Sequence, residues 1–114
     1  MLRWLSRFSR TRIFALFASI SCAGISLQGM EGLRVLKENC FRCHGEDKRK
    51  GGLVLTSREM ALKGGDEGKV LDLEKPDQSR LLELIKENGD PHMPPKEQLT
   101  AKEIQQVTEW LSKG

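Results

Sequence analysis

Five consecutive residues, Cys40-Phe41-Arg42-Cys43-His44, constrain this chain more than any other stretch. Two thiols separated by two residues and followed at once by an imidazole fit three chemistries. They can attach a haem through two thioethers, with the histidine placed to ligate the iron. They can supply part of a zinc site, which needs four ligands when closed. They can form a redox dithiol, a motif that sits beside a βαβ pattern. The three demand different surroundings, so the rest of the sequence decides between them.

Zinc lacks ligands. Beyond the N-terminal segment the donors of the usual type are Cys40, Cys43, His44 and His92, with no second cysteine pair and no paired histidines. Adjacent ligands at 43 and 44 also suit a compact tetrahedral site poorly. The dithiol lacks strands, because the pattern after residue 30 is helical almost throughout. A plain disulfide remains open in an exported chain. Haem attachment suits the sequence best. A helical turn spaces the two thiols for two vinyl groups on one porphyrin edge, and the next residue falls beneath the iron.

The N-terminus agrees. Arg3, Arg7, Arg10 and Arg12 form a basic region without acidic residues, "IFALFASI" is an apolar stretch, and small residues follow in "SCAGIS". This is the pattern of a secretory signal peptide. Residues 1–28 are read as the leader, with cleavage after Ala23, Gly24 or Ser26, and residues 29–114 as the domain. An uncleaved membrane anchor and lipoprotein processing at Cys22 are the alternatives. From Met30 onward 15 Lys and Arg face 16 Asp and Glu, so the basic charge belongs to the leader and does not point to nucleic acid. The domain has two aromatics, Phe41 and Trp110, which is a thin core for its size. A large apolar cofactor would fill that gap.

The spacing predicts a helix over 31–40 that delivers the cysteine pair at its C-terminal end. A charged, glycine-flanked loop follows at 45–52, with "LVL" at 53–55 as a short packed piece. A helix over 57–63 is expected, with Thr56 and Glu59 as its capping box. Leu81, Leu82, Leu84 and Ile85 give an apolar side to a helix predicted over 77–88, stopped by Gly89. Thr100 and Glu103 box the start of a last helix, whose stripe is Ile104, Val107, Trp110 and Leu111. Trp110 is expected against the first helix and the haem edge.

An electron-transfer haem wants a sixth ligand, often Met. Met93 lies in "DPHMPP", 49 residues after His44, in a loop that Pro91, Pro94 and Pro95 make irregular and stiff. Neighbouring His92 is the competitor, and only one of the two can bind. Lys48, Arg49 and Lys50 form a basic patch after the haem motif, read as a solvated loop, a docking patch or a contact for the propionates. A carbonyl of this loop is expected to accept from the non-ligating nitrogen of His44.

Two runs, "ENCFRCHGEDKRKGGLVLTSREMALKGG" and "MPPKEQLTAKEIQQVTEWL", closely resemble the Planctomycete-type cytochrome c domain. The resemblance spans about Leu33 to Leu111. It implies Cys40 and Cys43 as thioether positions, His44 as proximal ligand and Met93 as distal ligand. The expectation is an all-α, small class-I-like cytochrome c fold wrapped around one covalent haem c. Such a protein is a mono-haem one-electron carrier, exported to the periplasm, that meets redox partner proteins and is not an enzyme. The family's domains often head larger proteins, whereas this sequence ends three residues after Leu111, which favours a stand-alone carrier. A haem enzyme or gas sensor with a displaceable sixth ligand is the alternative. Membrane association is expected only if the leader stays attached.

Overall fold

A computed structural model describes residues 27–113. The segment read as leader lies outside them except for its last two residues. Four α-helices follow in order: α1 (Leu27–Asn39), α2 (Arg58–Lys63), α3 (Arg80–Ile85) and α4 (Ala101–Lys113). Short 3-10 turns lie at Lys50–Gly52 and Pro76–Gln78. There is no strand among the described residues, only isolated bridges at His44–Arg49 and Gly65–Gly68. The all-α expectation holds. No helix among the described residues is long and apolar enough to cross a membrane.

The two long helices form the frame, and α1 against α4 is the most extensive contact between elements. Val35 and Leu36 of α1 meet Val107, Trp110 and Leu111 of α4 in one buried cluster. Gly32 makes the close crossing possible: a Cβ there would collide with the Gln106 carbonyl and the Trp110 side chain. Arg58 ties α2 to the end of α4. Its guanidinium donates to the carbonyls of Trp110 and Leu111, both at 2.7 Å, and lies 5.9 Å from the Trp110 ring centroid. These last-turn carbonyls have no partner within the helix, so an arginine there satisfies them and complements the helix dipole.

The boundaries differ from expectation for local reasons. α1 starts four residues earlier than predicted, inside the uncharged run, where Leu27 and Met30 are exposed and give no amphipathic signal. α2 is capped by Ser57, not Thr56. Ser57 is extended and its Oγ accepts from the Met60 N–H at 3.2 Å, whereas the Thr56 hydroxyl donates to Glu46 at 3.2 Å. α3 is half the predicted length. Ser79 is extended before it, buried, and its hydroxyl accepts from the Asp72 N–H at 2.9 Å. At the other end the Leu84 carbonyl accepts from the Met93 N–H at 2.8 Å, and Lys86 is already extended. At α4 the predicted capping box forms: the Glu103 N–H donates to Thr100 Oγ1 at 3.2 Å, and the Thr100 N–H donates to Glu103 Oε2 at 2.8 Å.

Candidate functional site

The Cys40–His44 segment continues the winding of α1 beyond its last helical residue. The N–H groups of Cys40 and Phe41 donate to the Leu36 carbonyl at 2.8 and 3.2 Å. Those of Cys43 and His44 then donate to the Cys40 carbonyl at 3.2 and 2.9 Å. The loop that follows is laced back onto this turn. Lys50 N–H donates to the Cys43 carbonyl at 2.9 Å, and Leu55 N–H to the His44 carbonyl at 2.8 Å. Gly51 and Gly52 take φ of 63° and 69°, the left-handed region that a side chain disfavours. The glycine pair of the sequence is thus required by the return of the loop.

The turn opens on a cleft of about 310 Å³, lined by Cys40, Cys43, His44 and, from much later in the chain, Met93. That volume is at the lower end of the range for small-molecule sites. The lining is mostly apolar: Leu53 and Leu55 from the loop, Val70, Leu81, Leu84 and Ile85 from the middle of the chain, and Pro91, Pro94 and Pro95 around Met93. Four charged residues also line it, Lys50, Glu67, Lys69 and Arg80. Arg80 and Glu67 lie 3.8 Å apart in an exposed pair, a geometry that contributes little stability. Of the basic patch, Lys50 alone reaches the cleft; Arg49 donates from Nε to the Glu46 carbonyl at 3.1 Å. Lys69 and Arg80 carried no signal in the sequence, since nothing in their spacing relates them to residue 44. Trp110 packs with α1 but is not part of the cleft lining.

Met93 and His92 have different surroundings. Met93 is half-buried, packs on the core cluster and lines the cleft. His92 is not part of that lining. Its Nδ1 lies 3.0 Å from the Pro94 carbonyl oxygen and its Nε2 2.7 Å from Gln98 Oε1. Gln98 in turn donates from its amide nitrogen to the carbonyls of Ile85 and Leu99, at 3.1 and 3.0 Å.

The turn's own chemistry narrows the alternatives. Burial, and then the neighbouring Cys43, push the Cys40 thiol up to about 11. A redox dithiol sits beside a βαβ unit, and the described residues hold no strand to build one. Cys40 and Cys43 are both free and half-buried on the cleft. For zinc, no three His, Cys, Asp or Glu side chains converge as a metal-binding group among the described residues. The His44 ring differs from expectation: its Nδ1 is buried and meets no hydrogen-bond partner, so no loop carbonyl accepts from it. A buried polar nitrogen left unpaired costs about 1–3 kcal/mol. The fit to a haem rests on the donor set instead: two free thiols, an imidazole and a thioether share one mostly apolar cleft, the donors that attach a haem and ligate its iron. The residues present therefore fit a covalently attached haem.

A helical fold that brings a Cys-x-x-Cys-His turn and a distant methionine to one apolar cleft defines a c-type cytochrome class of domain. The chain belongs to the Planctomycete cytochrome C family, whose sequence pattern matches residues 40–97, just over half of the 114. The match runs from the first thiol past Met93 and omits both long helices. No curated protein and no solved structure matches the chain.

Proposed function

We propose that the protein is a mono-haem c-type cytochrome that carries one electron between partner proteins outside the cytoplasmic membrane. The carrying observation is the single cleft that gathers Cys40, Cys43, His44 and Met93. Cys40 and Cys43 would hold the cofactor as thioethers, His44 would be the proximal and Met93 the distal iron ligand. When bound, the haem supplies the one-electron change between ferric and ferrous iron. The chain's own contribution is burial, ligation and orientation. Leu53, Leu55, Leu81 and Ile85 keep water from the site. Lys50, Lys69 and Arg80 supply positive charge for the two propionates. In this reading residues 1–28 direct export and the remainder, 29–114, is the cytochrome domain in the periplasm.

Mass spectrometry of the protein co-expressed with a haem-attachment system tests this. One haem added covalently to the shortened chain is the expected result, and no added mass overturns the proposal. A ferrous protein that is five-coordinate, high-spin and quick to bind CO would transfer the protein to the haem enzymes or gas sensors.

A further inference from the structure

The proline-rich loop that presents Met93 has a problem of attachment. Pro91, Pro94 and Pro95 have no N–H to donate, so the loop cannot be fixed by a ladder of backbone bonds. One backbone bond ties it directly to a helix, from the Met93 N–H to the Leu84 carbonyl. The rest of the attachment runs through two side chains. His92 faces an acceptor at each ring nitrogen, the Pro94 carbonyl at Nδ1 and Gln98 Oε1 at Nε2; with its proton on Nε2, at the shorter 2.7 Å contact, the ring donates to Gln98. Gln98 uses its amide hydrogens on the Ile85 and Leu99 carbonyls, which fixes its oxygen towards His92. Ile85 ends α3 and Leu99 is a buried residue just ahead of α4. The chain of hydrogen bonds therefore links the residue before the methionine, through Gln98, to two fixed points of the core.

We propose that His92 and Gln98 form a latch that positions Met93, so His92 is a positioning residue and not an iron ligand. The inference rests on Met93 as the sixth ligand. His92 and Gln98 act in series: breaking either link frees the loop. The latch holds Met93 in the cleft and sets how often the methionine swings away.

The test uses the protein with haem attached. Cyanide association with the ferric form reads the opening of the loop, the Met–iron charge-transfer band reads ligation, and hydrogen exchange of the Met93 amide reads loop opening without reference to iron. Gln98→Ala and His92→Ala should each keep the band yet raise cyanide association roughly threefold to tenfold, the effect of one net hydrogen bond. The double variant should be no faster than the faster single one. Ser57→Ala, which removes the cap of α2 and lies apart from His92, Gln98 and their anchors, should leave cyanide association unchanged. Unchanged cyanide association in both single variants overturns the latch. So does loss of the band in His92→Ala alone, because His92 would then act on the iron directly. A parent protein without a Met–iron band refutes the ligation reading instead. Amide exchange then still decides the latch: faster Met93 exchange in both variants supports it, and unchanged exchange sinks it.

Discussion

The two ends of the cleft are built in different ways. The Cys40–His44 turn grows from a 13-residue helix, is knitted by backbone bonds, and is locked by a returning loop. The Met93 loop has one backbone bond to α3 and depends on side chains for the rest. A backbone-built site is fixed by the same bonds that make the helix, so it is as stable as the fold. A side-chain-tethered site opens locally at a cost of a few hydrogen bonds. In the proposed reading the covalent anchor therefore sits where the chain is rigid, and the exchangeable ligand where it can yield.

Substitutions can break that contrast in order of severity. Replacing both Cys40 and Cys43 with serine should abolish the covalent haem mass completely, because no thioether remains. Met93→Ala should leave that mass intact and remove the Met–iron charge-transfer band. A variant that loses haem along with the band would show the two ends to be interdependent.

Alkali acts on the anchor before haem is attached. The folded chain holds the Cys40 proton more tightly than the unfolded one, with the pKa raised from 9.0 to about 11. Stability from this group is complete below pH 9 and is lost as pH rises towards 11. The loss is about 2–3 kcal/mol at one and a third kcal/mol per unit. Denaturant titrations of the haem-free chain should show it, and those of the thioether-linked protein should not.

The smallest effect concerns the frame. Gly32→Ala overpacks the α1–α4 crossing and should cost about 1–3 kcal/mol in thermal unfolding. Because α1 carries the turn, the loss should appear in global stability, with cyanide association at 25 °C unchanged.

Much of this was legible in residue spacing, and what was not has physical reasons. The capping box at Thr100 and Glu103 and the stripe of α4 are local patterns, and they appear as read. The end of α3 was hidden because Leu84 gives its carbonyl to Met93, a partner nine positions away. Ser57 displaced Thr56 as cap because Glu46 engages the threonine hydroxyl. Cys40, Cys43 and His44 stand out by adjacency, and Met93 by its prolines. Lys69, Arg80 and Gln98 do not stand out at all. Their roles come from tertiary proximity, and single lysines, arginines and glutamines are common on any surface.

The packing of α1 on α4 also has a consequence in time. The residues that bury Val35 and Leu36 include Val107, Trp110 and Leu111, some 70 positions later in the chain. A chain that emerges N-terminus first has its cysteine pair exposed well before the partner of α1 arrives. Cys40 and Cys43 are therefore reachable during that interval, and because the last helix docks on the other side of α1's turn, outside the cleft lining, they still face the cleft once it has arrived.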